Sequence, residues 1–284
     1  MKIAFLGPEG SYSHLAAKAF LETEAAPKKS VGDWDECIPF RNFPEVIAAV
    51  NSGKADAAAL PIENSIQGGV SQNLDLLQSM EGVYAVKEYV LPIEHHLVYK
   101  EGMKLSDIGR VYSHRQALDQ CLEYLDKELP FASLRETEST AFGLSKAMED
   151  ESGKSAAIAG ANGARLRKGF VMGKECISDE KNNVTHFLLV KKGEASLPKH
   201  GELIFFSATC PHRKGSLVEL LQIIGNHNIN MTKIESRPIK NRPGSFRFFI
   251  EAECDIGAPE VQTMLEEIRN STLECKLLGV YNRG

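Results

Sequence analysis

The feature that most constrains this chain is a change of rhythm close to Pro198. Upstream of it, strand-like and helix-like runs alternate. Residues 2–6 read as a strand, 13–24 as a helix, and 44–51 and 74–80 as short helices around the apolar run 55–61. An extended stretch 84–99 follows, then a strand at 109–112 feeding a helix at 116–127, a strand at 132–135, a helix at 141–151 and a strand at 156–159. This alternation predicts an α/β fold with parallel-rich sheets and helices on their faces. The last apolar strand, 184–190, runs into the polar stretch 191–198, which reads as a linker. Beyond it come a strand at 202–209 and a helix at 215–227 whose Leu217, Leu220, Leu221 and Ile224 keep helical spacing. Strands at 231–239 and 245–254 flank the turn Asn241-Arg242-Pro243-Gly244, and a helix at 259–270 and a strand at 274–281 close the chain. That order is βαββαβ, the ferredoxin-like arrangement. The chain therefore divides near residue 198 into a larger α/β part and a small βαββαβ domain, and fold alone assigns neither a function.

The 284 residues suffice for two ordinary domains, and 43% hydrophobic with 25% charged residues is the balance of a soluble globular protein. A net charge of -5 gives no global attraction to nucleic acid; the densest basic patch, Arg165, Arg167 and Lys168, reads as a solvated face. The opening apolar run 3–6 is too short for a secretory signal, and no stretch approaches the about 18 apolar residues of a membrane span, so a cytoplasmic protein without membrane contact is expected. The six cysteines are scattered without a CxxC pair, which predicts reduced thiols and no metal site; Cys121, inside a helical pattern, is expected to pack.

In open α/β sheets, ligands bind beyond the carboxyl ends of strands, where helix N-termini present N–H groups to anions. Four loops in such positions carry small hydroxyl or amide residues: Gly7-Pro8-Glu9-Gly10-Ser11-Tyr12-Ser13-His14, Pro61-Ile62-Glu63-Asn64-Ser65-Ile66-Gln67-Gly68-Gly69, Ser113-His114-Arg115-Gln116, and Glu136-Thr137-Glu138-Ser139-Thr140. Any one of them is equally described as a helix cap. Four together point to a pocket for a small carboxylate-bearing molecule. The glycine loop fits neither phosphate-binding fingerprint, so no nucleotide cofactor is expected. His14, His95, His96 and His114 are the candidate acids or bases, with the His95-His96 pair expected to be structural.

Over nearly its full length the chain resembles the prephenate dehydratases. The resemblance rests on the glycine loop 7–14, Pro61-Ile62-Glu63-Asn64-Ser65, Tyr112-Ser113-His114-Arg115-Gln116, Glu138-Ser139-Thr140-Ala141 and Asn183-Val184-Thr185-His186-Phe187. Gly215-Ser216-Leu217-Val218 and Glu235-Ser236-Arg237-Pro238 look like the two effector motifs of that family's ACT domain. The resemblance implies a two-lobed catalytic part at 1–195, similar to a type II periplasmic-binding protein, and an ACT regulatory domain at 200–284. Lobe one would comprise about 1–81 and 175–195, and lobe two about 82–174.

The implied reaction takes prephenate to phenylpyruvate with loss of water and carbon dioxide, without a cofactor or metal. Phenylalanine is the implied inhibitor, and a homodimer or homotetramer the implied assembly. Thr185 would donate to the departing hydroxyl. Ser11, Asn64, Ser65, Ser113, Gln116, Ser139, Thr140 and Phe187 would hold the substrate. Gly215 opens a helix, so the N–H groups of Ser216, Leu217 and Val218 would meet an effector carboxylate, with Glu235 beside its amine and Ser236, Arg237 and Pro238 completing the motif.

Two positions depart from the family pattern. His186 stands where arginine is usual: either it takes over an anion-binding job, which would give activity a pH dependence, or alternation along a regular strand turns it away from Thr185 and Phe187 and it is structural. Arg115 stands where proline is common; it either adds a cation near the cleft mouth or only removes a rigid turn. The alternatives to prephenate dehydratase are an arogenate dehydratase and a non-catalytic amino-acid-sensing binder with a degenerate site.

Overall fold

The computed structural model describes residues 1–24, 36–165, 168–173, 176–197, 201–239, 242 and 244–282. Arg167, Lys174, Pro198, Asn241 and Pro243, on which expectations above fall, lie outside the described residues. The chain begins with β1 (Lys2–Leu6), α1 (Tyr12–Glu24), β2 (Glu36–Phe40), α2 (Phe43–Asn51), β3 (Ala57–Asn64), β4 (Gly68–Gly69), α3 (Ser71–Ser79) and β5 (Val83–Pro92). It continues through β6 (His96–Lys100), β7 (Arg110–His114), α4 (Arg115–Asp119), α5 (Leu122–Glu128), β8 (Ser133–Thr137), α6 (Thr140–Glu149), β9 (Ser155–Ala159), α7 (Ala161–Arg165) and β10 (Phe170–Met172). Then come β11 (Val184–Lys192), β12 (Leu203–Thr209), α8 (Ser216–Asn226), β13 (Asn230–Pro238), β14 (Phe246–Glu253), α9 (Pro259–Ser271) and β15 (Glu274–Tyr281).

The strands fall into two sheets among the described residues. One runs β13-β14-β12-β15-β5-β11-β3-β1-β2, with β4 hydrogen-bonded to β3; the other runs β10-β6-β9-β7-β8. Residues 3–5 of β1, 57–62 of β3 and 156–159 of β9 are buried, continuous apolar runs, as strands covered on both faces must be. Two lobes result, and the chain crosses between them after β5 and again before β11. The first crossing falls later than the expected lobe boundary at Gly82. β5 stays in the first sheet because it pairs along nine residues of β11, so lobe two opens only at β6.

The expected helix 116–127 is broken. Cys121 adopts non-helical backbone angles, φ -129° and ψ 18°, and the Gln120 carbonyl accepts from Asp179 N at 2.8 Å in place of an intrahelical donor. Cys121 is fully buried and burial raises its thiol pKa, so it packs as a neutral side chain. All six cysteines are free. Among the described residues no helix is long and apolar enough to cross a membrane.

The C-terminal domain has the βαββαβ order, with α8 and α9 covering one face of its sheet through Leu220, Ile224, Val261, Met264, Leu265 and Ile268. Its other face is not solvated. Leu203, Phe205, Phe249, Leu278 and Tyr281 share one buried cluster with Leu60, Ile62, Leu74, Leu77, Val83 and Leu188 of lobe one. Each fully buried side chain of this size contributes roughly 1.5–3 kcal/mol. The sheets also merge edge to edge, since β15 pairs in parallel with β5 at Gly279 and Ala85. A Cβ on Gly279 would lie 2.6 Å from the Ala85 side chain, so only glycine permits that approach. Lys276 caps the far end of α3, its ammonium donating to the carbonyls of Leu77, Gln78 and Met80 at 2.8–2.9 Å. The joint between the two parts is therefore a shared core and a shared sheet in addition to the segment 191–198.

Candidate active site

Between the lobes lies a cavity of about 280 Å³, at the small end of the range for pockets that hold organic ligands. Lobe one lines it with Gly7, Ser11, Tyr12, Ser13, Phe43, Asn64 and Gln67; lobe two with His114, Gln116, Glu138, Ser139 and Thr140; the segment between β5 and β6 with Ile93 and His95, and β11 with Thr185 and Phe187. A wider and more open depression over Tyr112, Glu136, Phe142 and Lys146 adjoins it and shares His114 and Glu138 with it.

Asn64 organises the floor. Its Oδ1 accepts from the backbone N–H groups of Ile66 and Gln67, both at 3.1 Å. Backbone donors cannot reverse, so the amide NH₂ must face the other way. It donates to Thr185 Oγ1 at 3.0 Å and to Asn183 Oδ1 at 2.6 Å. Asn183 Nδ2 in turn donates to Gln120 Oε1 at 3.0 Å, and the same oxygen lies 3.1 Å from His95 Nε2. An accepting oxygen fixes His95 as the Nε2–H tautomer. Burial lowers the His95 pKa, so the ring stays neutral, with Nδ1 3.2 Å from the Tyr12 hydroxyl. The Tyr12 hydroxyl gives its one hydrogen to the Glu94 carbonyl at 2.7 Å and so only abuts His95 Nδ1, and its phenol pKa is pushed far up by burial. One hydrogen-bonded line thus runs from His95 to Thr185, and every member in it is uncharged.

The remaining loop residues divide between the cavity and its frame. Ser11 lines the cavity, and its hydroxyl donates to the Leu6 carbonyl and accepts from His14 N. Ser139 caps α6 by accepting from Phe142 N at 3.0 Å, while Thr140 opens that helix. Gln116 and Phe187 line the cavity as expected. Ser65 does not: its hydroxyl accepts from Val184 N at 3.0 Å and its own N–H donates to Val184 O, locking β3 to β11. Ser113 is completely buried and donates to Ile158 O at 2.7 Å, tying β7 to β9 behind the cavity. Both hydroxyls sit where strand pairing had a nearer use for them.

The histidines also separate. His14 accepts from Gly10 N at 2.9 Å and stacks on Phe5, holding the glycine loop; burial lowers its pKa. His95, expected to be structural, faces the cavity because the first crossing begins there. His114 accepts from Gln116 N through Nδ1 at 3.3 Å, which leaves Nε2 as its protonated nitrogen. Arg115 points outward and pairs with Asp119, so it adds no cation to the cavity. His186 bonds Glu88 at 2.7 Å on the opposite side of β11 from Thr185, as alternation requires, even though a β-bulge follows between His186 and Phe187. Tyr12, Gln120 and Asn183 were missed as functional candidates. The signal for Gln120 was weak, since a helical pattern hides a residue that a helix break turns inward.

Among the described lining residues none is lysine or arginine. An anion here meets neutral donors and the first turns of α1 and α6, whose N–H groups lack intrahelical acceptors, against the one acidic lining residue, Glu138. The arrangement can hold a small organic acid and direct a hydroxyl at one of its oxygens.

In the C-terminal domain Gly215 caps α8 with φ +84°, the left-handed region, and Val218 is exposed. Alternate residues of β13 point into lobe one: Glu235 accepts from Ser71 Oγ at 3.2 Å and lies over Gly69, and Arg237 pairs with Asp75 at 3.0 Å. Ser236 and Pro238 face outward.

The prephenate dehydratase family model matches residues 3–195, and the ACT domain model matches residues 205–270. A bifunctional chorismate mutase/prephenate dehydratase of Enterobacter agglomerans is 33% identical over 281 residues, covering 99% of this chain and 70% of that protein. The crystal structure of prephenate dehydratase from Arthrobacter aurescens in complex with L-Phe superposes with a TM-score of 0.87 at 30% identity, covering 100% of this chain and 90% of that one. GqqA, described as a quorum-quenching acylase, superposes with a TM-score of 0.85 at 26% identity, covering 100% and 98%. A shared fold does not choose the reaction. The dehydratase match, which spans most of the chain and contains the residues gathered around the cavity, does: the chain belongs to the prephenate dehydratase family of lyases and carries an ACT domain behind its catalytic part.

Proposed function

We propose that this chain converts prephenate to phenylpyruvate in the interlobe cavity and that phenylalanine inhibits it through the ACT domain. The observation that carries the catalytic half is the orientation of Asn64. Two backbone donors turn its NH₂ toward Thr185 Oγ1, so the threonine oxygen is already accepting and its hydrogen is left for an acceptor in the cavity. As the carbon–carbon bond to the ring carboxylate breaks, its electrons enter the ring and the carbon–oxygen bond to the ring hydroxyl breaks. The departing hydroxide takes up one proton and leaves as water, and aromatisation drives the step. Thr185 is a poor Brønsted acid, so its part is a positioned hydrogen bond to the leaving oxygen, with orientation carrying much of the rate. Gln116, Ser139, Thr140 and the first turns of α1 and α6 hold the two carboxylates and the keto group.

The regulatory half is supported by the L-Phe in the Arthrobacter relative and by the α8 N-terminus, where Gly215 offers no side-chain cap to the first-turn amides. Exposed Val218, Ile234 and Phe246, close to the sheet edge formed by β13, support a homodimer or homotetramer. The boundaries 1–195 and 200–284 remain our division of the chain, and the free thiols support a reducing, cytoplasmic location. Phenylpyruvate absorbance measured with prephenate and with arogenate, each with and without phenylalanine, tests the reading. Turnover of prephenate that phenylalanine suppresses is expected. Preference for arogenate would reassign the substrate, and no turnover above the spontaneous rate would leave a binder.

A further inference from the structure

Next to the Thr185 and Asn64 pair, on the outer face of the same two strands, lies a cluster of charges outside the reaction described above. Thr185 stands opposite Asn64, and the next pair in the ladder is His186 with Glu63. His186 Nδ1 is 2.7 Å from Glu88 Oε1, a carboxylate whose side chain is only 5% exposed. Glu63 Oε2 is 2.6 Å from Lys233 Nζ, and Lys233 belongs to β13 of the ACT domain. Behind Glu88, the Tyr281 hydroxyl donates to Glu251 at 2.7 Å, and Thr232 donates to the same carboxylate. His186 thus faces Glu88 from β5, Glu63 from β3 and Lys233 from β13, with Tyr281 and Glu251 beyond.

The location matters because the ladder is interrupted there. A bulge between His186 and Phe187 gives β3 one extra residue, and a bulge leaves its strand locally unpaired and bent. Hydrogen bonding between the strands therefore holds the β3 backbone next to Asn64 less firmly than a regular ladder would, while β11 at Thr185 stays in regular register with β5. A buried carboxylate such as Glu88 is costly unless paired, so His186 has a fixed place beside it. Two residues further along β13, Glu235 lies on Gly69 and Ser71, and Arg237 on Asp75. The segment held in this way, 63–75, is the one that presents Asn64 and Gln67 to the cavity.

We propose that His186 and Glu63 are positioning residues for Thr185 and Asn64, and that Lys233 completes the set, so that the ACT domain supplies a residue to the catalytic geometry of its own chain. The inference rests on Thr185 and Asn64 acting as described above. None of the three side chains lines the cavity; they act through the strands they share with the reacting pair.

The test uses the full chain with Lys233→Met, His186→Gln, His186→Arg and Thr185→Val, each checked for folding by thermal unfolding. Lys233→Met and His186→Gln should lower kcat on prephenate about tenfold, with KM changed less than about threefold, as expected for a small misplacement of reacting groups. His186→Arg, which keeps a positive charge against Glu88, should restore kcat to within about threefold of the parent. The hydrogen bond to Glu88 raises the His186 pKa, so parental kcat should hold below that raised value and fall as pH rises through it. His186→Arg should abolish the fall. If Lys233→Met does not fold, E63Q/K233M removes both charges, and the same tenfold loss is expected of it. Parental kcat in folded Lys233 and His186 variants overturns the inference. Absence of turnover in the parent chain is a separate result, which removes the proposed reaction and with it the premise.

Discussion

The two faces of the β3–β11 pair are built on opposite electrostatic plans. On the cavity face, Thr185, Asn64, Asn183, Gln120 and His95 form an uncharged line whose direction is set by two backbone N–H groups. On the joint face, one ladder position away, His186, Glu88, Glu63 and Lys233 alternate in charge. Neutral buried networks rigidify a site when every member is satisfied, and they do not change state near neutral pH. Charged clusters respond to protons and to movement of either partner. The chemistry therefore sits on the face that is insensitive to conditions, and the sensitivity sits on the face that the ACT domain touches.

The comparison is most severely tested at Thr185. Thr185→Val removes the donor while keeping the shape, and kcat should fall on the order of 10²–10³-fold in a phenylpyruvate assay. Asn64→Asp should cost about 10²-fold: the carboxylate still accepts from Ile66 and Gln67 but cannot donate to Thr185, so the direction of the whole line is lost. A variant with parental turnover would mean that the orientation of Asn64 has no bearing on the reaction.

On the joint face the expected effects are smaller and depend on pH. His186 has a folded pKa above its unfolded value of about 6.5. Its contribution to stability is complete below the unfolded pKa and is lost as pH rises through the folded one. Urea denaturation should show stability declining across that window in the parent, and His186→Arg should remove this component. A profile unchanged by His186→Arg would mean that the Glu88 pair carries no linkage. Smallest of all, Arg115→Ala should leave kcat and KM within about twofold, because an exposed i,i+4 pair with Asp119 adds little to anything at the cavity.

Much of this was legible before any coordinates. The alternation of elements, the βαββαβ tail and the four hydroxyl- and amide-bearing loops all follow from local pattern, and Ser11, Asn64, Gln116, Ser139, Thr140, Thr185 and Phe187 do meet at one cavity. Ser65 and Ser113 belong to the same motifs yet turn to neighbouring strands, because a motif specifies residue types and spacing, while the nearest backbone partner is set by strands distant in sequence. His95 and Gln120 were hidden for the converse reason: a crossing segment and a helix break bring them inward, and neither leaves a periodic signature.

The boundary near residue 198 shows the division most clearly. Sequence alone determined that two kinds of domain are present and where one rhythm yields to the other, since periodicity is a local property of the chain. Only the tertiary structure decided that they share a core through Phe205, Phe249 and Tyr281, a sheet through Gly279 and Ala85, and a charge pair through Lys233 and Glu63. The sheet and charge-pair contacts join residues more than a hundred positions apart. They depend on which faces remain apolar or unpaired after each part has folded, and that is settled only when the two surfaces meet.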